Sequence, residues 1–318
     1  MSSVNVAHYS VSVVIPVFRS AETLGILYER MAHQLGILTD DWEIILVDDA
    51  STDGSWSAIC ALHAVDPKVK CVRFARNQGQ QHATLCGLNY AAKQYVVTID
   101  DDLQCYPEDI PAFVEKLTSG KQVVIGRIAE NGKQHAWWRN LGSRINQYLT
   151  GRIIGKPSDM RLSSFRAMTL NVARTLTAYK GAHPHIAAML FKSVPHDLIC
   201  NVDIRHAPRG DGKKSSYSLP KLIKTLSYLI INHSYIPLRF MMLWGLFMSF
   251  IALMYALWIV LRIFTGSPTL PGWASLAVLI SFLSGNILLA FGILGEYLGR
   301  LVEESSNIQQ FSVFEERL

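Results

Sequence analysis

Three consecutive aspartates, Asp100, Asp101 and Asp102, end an apolar run in the stretch YVVTIDDDLQCYPEDI. In a strand, alternate side chains share a face, so Asp100 and Asp102 are expected to point together and Asp101 away. Paired carboxylates of this kind form an oxygen ligand set for a hard divalent cation, and Gln104 two residues on adds another oxygen. Mg2+ or Mn2+ held this way keeps coordination positions open for water and phosphate oxygens. A second acidic pair, Asp48 and Asp49, ends another apolar run in WEIILVDDASTD. The alternative for both is a solvated acidic turn; two acidic run-ends in one chain favour the ligand reading.

Strands must deliver these acids, and the first 125 or so residues alternate strand and helix signals. VSVVIPVF, WEIILVDD, VKCVRFA, YVVTID and KQVVIG read as strands. Helices are predicted from Ser20, with Ser20 as cap and Glu22 in the first turn, around Trp56 to His63, over QQHATLCGLNYAAK, and from Pro107. This rhythm predicts a largely parallel sheet covered by helices, with ligands bound beyond the C-terminal strand ends, where Asp48, Asp49 and Asp100 to Asp102 fall.

The chain has 318 residues, half of them hydrophobic, and a formal net charge of +5. That charge is too mild to argue for nucleic acid, and no basic stripe interleaved with aromatics is present. The five cysteines, Cys60, Cys71, Cys86, Cys105 and Cys200, are scattered and form no C-x-x-C pair. They point away from a zinc site or disulfide framework and towards a reducing cytosol. MSSVNVAHYS lacks the charged and apolar regions of a signal peptide, so none is expected.

Near the C-terminus the composition changes. Met241 to Leu261 carries no charge, and after RIFTGSPTLP neither does Trp273 to Gly295. Each is long enough to span a hydrocarbon core of about 30 Å, which predicts a transmembrane hairpin. Lys213, Lys214, Lys221, Lys224 and Arg239 precede the first run and Arg300 follows the second, against Arg262 alone in the connecting loop. This bias predicts that both chain ends are cytosolic. Asn286, in the middle of the second run, is expected to hydrogen-bond a neighbouring helix. LPKLIKTLSYLIIN is amphipathic, either flat at a membrane surface or an ordinary surface helix.

SVVIPVFRSAETL, ILVDDASTDGS, RNQGQQHATLCGL and IDDDLQCYPEDI, in this order, resemble the motifs of family 2 glycosyltransferases with the GT-A fold. Members of that family show P-x-[YF]-N-E, V-D-D-G-S-x-D and D-A-D-L-Q-x-x-P-E. GEYLGR, after the second apolar run, resembles the polyprenyl-phosphate branch. That branch includes O-antigen-modifying glucosyl transferases and the aminoarabinose transferase of lipid A modification. The resemblance covers nearly the whole chain and is specific for the subfamily, not for the sugar.

The resemblance implies an α/β GT-A fold, Rossmann-like, mostly parallel and with helices on both faces of the sheet. Residues 1–212 would form the catalytic domain and 213–238 an acceptor loop with an interfacial amphipathic helix. Residues 239–300 would hold two membrane helices, about 240–263 and 272–295, and 301–318 a cytosolic tail. It implies inverting transfer from a UDP- or GDP-sugar to polyprenyl phosphate at the cytosolic face of the inner membrane. Mg2+ or Mn2+ would be the cofactor and a homo-oligomer, a tetramer by family likeness, the assembly.

Carried over by position, Pro16 and Asp49 would hold the nucleotide base and ribose, with Asp100 near the nucleotide and Asp102 and Gln104 on the metal. Arg127, Arg139 and Ser143 match phosphate-cradling positions. LSSFRAM resembles TSGFRA, which brings Phe165 and Arg166, with Asp159 upstream, to the donor site. RGDGKKSSY offers Arg209, Lys214, Ser215 and Tyr217 to the acceptor phosphate, although it is one residue longer than the family's pattern before the tyrosine. Arg19 and Ser20 stand where Asn-Glu is usual, Asp101 replaces a small residue, and the tail lacks the usual Arg-Pro.

The chemistry needs no serine or cysteine nucleophile. A phosphomonoester has a second pKa of about 6, so at neutral pH it is largely dianionic and can attack an anomeric carbon without a strong base. A divalent ion would neutralise charge on the leaving diphosphate, and arginine forks would hold the acceptor. The isolated histidines, His82, His183 and His185, read as structural. Competing readings are a processive polysaccharide synthase, which would carry Q-x-x-R-W and more spans, a degenerate glycosyltransferase serving as a membrane scaffold or lipid-binding module, and a transporter, for which two spans with one mid-span polar residue make a poor pathway.

Overall fold

The computed structural model describes residues 9–128, 157, 160–179, 184–207, 236–264, 272–305 and 311–318. They fall into two units: Met1–Tyr217 with Ile308–Leu318, and Ser218–Asn307.

The first unit is built on an eight-stranded sheet of order β7-β5-β6-β4-β1-β2-β3-β8. Its centre is parallel: β1 (Val11–Val17) lies between β2 (Trp42–Asp48) and β4 (Tyr95–Thr98), and β3 (Val69–Phe74) pairs with β2. β1 and β2 are buried along their whole length, which is why they read as continuous apolar runs and not as alternating ones.

The flanks are mixed. β5 (Val123–Ile128) pairs in parallel with β7 (Ile199–Ile204), while β6 (Arg166–Thr169) runs antiparallel to both β4 and β5. β8 (Val313–Arg317), from the extreme C-terminus, closes the other edge antiparallel to β3. Residues 301–318, expected as a plain tail, therefore include a strand of the sheet.

The pleat sorts the helices onto two faces. Val11, Val13, Ile15 and Val17 of β1 share one core with α1 (Ala21–Leu38), α2 (Ser55–Val65) and α4 (Ile110–Thr118). α1 contributes Leu24, Leu27, Met31 and Leu35, a stripe at helical spacing. α3 (Gln80–Tyr90) packs on the other face, so close that a Cβ on Gly87 would lie 2.2 Å from Val14 Cγ1. Glycine is what allows this helix to touch the strand. α5 (Leu170–Thr177) and α6 (Ile186–Ser193) complete the unit.

Ser20 sits at the N-cap of α1 and Glu22 in its first turn, but the Ser20 hydroxyl makes no cap bond there. It donates to Asp101 instead. Pro107 opens a one-turn 3-10 helix, Pro107–Asp109, that leads into α4.

In the second unit, α7 (Ile236–Phe264) and α8 (Trp273–Ser305) are long and apolar enough to cross a membrane. Asn286 bridges them as expected: Trp244 Nε1 donates to its Oδ1 at 2.9 Å, and its Nδ2 donates to the Phe282 carbonyl at 2.8 Å. α8 runs ten residues beyond the expected end at 295, through GEYLGR. Most of the segment 213–238 lies outside the described residues.

Candidate active site

The C-terminal ends of β1, β2 and β4 meet the start of α3 around a cleft of about 270 Å³. Pro16, Val17 and Phe18 form one wall, Gln80 and Ala83 another, and Asp49 with Asp100, Asp101 and Asp102 supply the charge. None of the described residues lining it is basic.

The two acids ending β2 have different surroundings. Asp48 is fully buried; its Oδ1 accepts from the Ser51 N–H at 3.1 Å. Its Oδ2 lies 3.1 Å from Arg73 Nε, near enough for an ion pair but off the line of a hydrogen bond. Asp49 faces the cleft, accepting from the Gln78 and Gly79 N–H groups at 2.7 and 2.8 Å. Burial pushes its carboxyl up, and the two amides offset part of that. Gly79 has φ +94°, a conformation open to glycine, so the loop entering α3 can turn both amides onto Asp49. The same turn brings Gln80 into the cleft.

β4 ends at Thr98, so Asp100 to Asp102 lie in a turn, not a strand; Leu103 closes it at φ +60°. The alternation expected of a strand therefore fails here. Asp101, expected to point away, lines the cleft: its Oδ2 accepts from the Phe18 N–H at 3.0 Å and the Ser20 hydroxyl at 2.5 Å.

Asp100 is clamped at both oxygens, Oδ1 by Gln80 Nε2 at 2.6 Å and Oδ2 by Ser164 Oγ at 2.5 Å. Burial, and then the charge of Asp102, push its carboxyl up against the pull of Ser164, Arg166 and Gln80. Asp102 Oδ1 accepts from the Gln104 N–H at 3.1 Å. Gln104 follows the turn, its carbonyl accepting from Ala207, and is not among the cleft-lining residues.

The remaining candidates are spread more widely. Phe165 is fully buried in the core and stacks on Phe113 with ring centroids 4.5 Å apart. Arg166 is buried on β6, opposite Thr98 in the β4–β6 register. Burial lowers its guanidinium to about 10, the charge of Asp100 acting the other way, and its Nε has no hydrogen-bond partner. Arg127 is exposed and forms a two-pronged ion pair with Asp203 at 2.6 and 3.1 Å, across the β5–β7 register. Arg139, Ser143, Asp159, Arg209, Lys214, Ser215 and Tyr217 lie outside the described residues, as does His183. His185 caps α6, its Nδ1 accepting the Ala188 N–H.

Sequence reasoning passed over Gln80 and Ser164. Both sit inside quoted motifs, RNQGQQHATLCGL and LSSFRAM, and a second signal was present in Ser164 itself: it stands where TSGFRA has glycine.

All of the acids at this site are hard oxygen donors, which suits Mg2+ or Mn2+ and not a soft metal. Among the described residues, no group of three His, Cys, Asp or Glu is arranged to hold a metal ion. An ion held by one or two carboxylates, completing its shell with substrate phosphates, requires none.

Comparison with known proteins fixes the class. Residues 12–177 match the family described as Glycosyl transferase family 2, and the chain belongs to that family. It is a glycosyltransferase with a GT-A-like fold. Over 306 residues it is 28% identical to the uncharacterized glycosyltransferase YkcC of Bacillus subtilis (strain 168), covering 94% of this chain and 92% of that one. Over 313 residues it is 33% identical to the undecaprenyl-phosphate 4-deoxy-4-formamido-L-arabinose transferase of Enterobacter sp. (strain 638), covering 95% and 91%. Among solved structures, glucosyl-3-phosphoglycerate synthase from Mycobacterium tuberculosis, crystallised with Mn2+, UDP-glucose and phosphoglyceric acid, superposes with a TM-score of 0.51. That match, at 18% identity over 71% of this chain and 78% of that one, concerns the fold.

Proposed function

We propose that this glycosyltransferase moves a sugar from a nucleotide-sugar, UDP- or GDP-linked, to a polyprenyl phosphate at the cytosolic face of the inner membrane. The observation that carries the reading is a single chain joining an acidic cleft at the parallel strand ends to two helices long enough to span a bilayer. The likeness to undecaprenyl-phosphate transferases along the whole chain supports the acceptor. Pro16 and Asp49 would bind the nucleoside and Asp100 would lie near the nucleotide. Asp102 and Gln104 would hold Mg2+ or Mn2+, which supplies charge neutralisation for the departing diphosphate. Arg127, Arg139 and Ser143, with Arg209, Lys214, Ser215 and Tyr217, would hold phosphates. Attack from the face opposite the leaving group inverts the anomeric carbon.

Topology supports the placement. β8 belongs to the same sheet as β1, so the chain that leaves the first unit at α7 comes back to it after α8. Two crossings satisfy this and one does not, so both termini would be cytosolic. The homo-oligomer, a tetramer, remains part of the reading on family likeness.

The test is transfer by purified protein with Mn2+ or Mg2+, undecaprenyl phosphate and a panel of UDP- and GDP-sugars, with lipid products detected by mass. One lipid-linked monosaccharide is expected; none across the panel sinks the reading.

A further inference from the structure

Two departures from the glycosyltransferase pattern meet at one hydrogen bond. Ser20 stands where P-x-[YF]-N-E carries its glutamate, and Asp101 stands where D-A-D-L-Q carries its alanine. In the folded chain, Ser20 Oγ donates to Asp101 Oδ2 at 2.5 Å. The carboxylate missing from one side of this contact is present on the other. We propose that Asp101 is a positioning residue of the transfer reaction, supplying from the β4 turn the carboxylate that the pattern places at position 20, and so fixing the Phe18 wall of the cleft.

The geometry shows what that carboxylate holds. Arg19 has φ +57°, so the chain swings sharply between Phe18 and Ser20. Three successive backbone N–H groups then point to three different side chains: Phe18 to Asp101 at 3.0 Å, Arg19 to Ser51 at 3.0 Å and Ser20 to Ser55 at 2.9 Å. Ser51 and Ser55 belong to the β2 side of the site and Asp101 to the β4 side. Thr23 Oγ1 adds a bond to the Asp101 carbonyl at 2.8 Å. The 18–20 segment is thus slung between the two acidic strand ends, and Asp101 is its anchor on the turn that carries Asp100 and Asp102. A single oxygen of Asp101 accepts both the Phe18 N–H and the Ser20 hydroxyl, which charge strengthens. Phe18 and Asp101 both line the cleft, so the anchor sets the distance between its apolar wall and its acids.

This inference rests on the transfer reading for its reaction but not for its geometry. The test compares wild type, Asp101→Asn, Asp101→Ala and the exchange variant Asp101→Ala with Ser20→Glu. Affinity for UDP and for GDP, each with Mn2+, is measured by calorimetry, donor KM and kcat by transfer, and Phe18 amide protection by hydrogen exchange. Losing a hydrogen bond to a charged group should weaken nucleotide affinity and raise donor KM about tenfold or more in Asp101→Ala, with a smaller change in kcat. Asp101→Asn, which retains a neutral acceptor, should fall between. The exchange variant should recover to within about threefold of wild type, because the charge returns to the same contact. Unchanged nucleotide affinity and KM in Asp101→Ala, or an exchange variant no better than the single one, overturns the proposal. If wild type binds nucleotide and transfers nothing, the acceptor reading fails, and the affinity series still decides the role of Asp101. If wild type binds neither nucleotide, the positioning role falls with the reaction, and the exchange data then report a loop anchor only.

Discussion

Ser164 donates its hydroxyl hydrogen to Asp100 Oδ2 at 2.5 Å, joining the approach to β6 to the acidic turn after β4. With Gln80 on the other oxygen, Asp100 is held by neutral donors on both sides. A carboxylate fixed in this way loses little further rotamer freedom when a substrate arrives. Ser164→Ala and Gln80→Ala are expected to lower kcat/KM for transfer by about tenfold each, with a melting temperature close to that of wild type. Steady-state kinetics beside a thermal melt separate the two effects. Ser164→Thr, which keeps the hydroxyl, is expected to recover part of the loss.

Asp102→Asn keeps the shape of the side chain and removes a charge from the proposed metal site. Transfer should fall about 1000-fold, the scale of losing an electrostatic stabiliser of the departing group. Calorimetry should show nucleotide binding that no longer responds to Mn2+. Wild-type turnover in this variant would refute the metal assignment.

Glu43 makes part of the fold pH-sensitive. It is buried on β2, and its Oε1 accepts from Ser12 Oγ at 2.6 Å and the Ala92 N–H at 2.8 Å, while Lys70 Nζ lies 2.9 Å from Oε2. Burial pushes its pKa up, but these partners outweigh it and hold the carboxyl below its ordinary 4.5. A lowered folded-state pKa contributes stability that is present above the unfolded value and lost as pH falls through the folded one. The acids at the cleft, buried Asp49 and half-buried Asp100 and Asp101, are raised instead and work in the opposite direction. The Glu43→Gln variant isolates the effect. Its melting temperature should be lower than that of wild type at neutral pH, and the gap should narrow on acidification below about pH 5. A gap that is constant with pH would show that the charge of Glu43 does not contribute.

Gly87→Ala forces a methyl group to within 2.2 Å of Val14 Cγ1 in a fully buried strand. Overpacking of this kind should cost about 2 kcal/mol, and α3 would have to back away from β1. Chemical denaturation measures the cost. Adding Val14→Ala should return part of it, because the second change makes room for the first.

The chemistry-bearing strand ends were legible because β1 to β5 are local decisions: each is an apolar run punctuated by Asp, Gly or Pro, and each formed at its run, although β4 stops early at Thr98 and β5 lies later, at Val123–Ile128. The pairing of β6 and β8 was not, since antiparallel partners so distant in sequence leave no periodic signature. Nothing in VFEER marks it as the strand that would find Val72. Asp101 was misjudged for a different reason. The pleat argument assumes that the strand persists, and here it stops at Thr98, after which a left-handed Leu103 sets where the three carboxylates point. The LSSFRAM motif has a divided role that a motif match does not show: Ser164 reaches the acid, and Phe165 packs against Phe113.

The pairing of Phe74 with Val313 also sets an order of events during synthesis. The edge of β3 is made early, and its partner follows both apolar helices in the chain. At ordinary rates of translation the intervening stretch takes roughly 10 to 50 s, during which both apolar helices are also made. Until then β3 presents an open edge, the kind of surface that pairs with the wrong chain. A ribosome stalled anywhere before the final strand therefore leaves a catalytic unit whose sheet is incomplete.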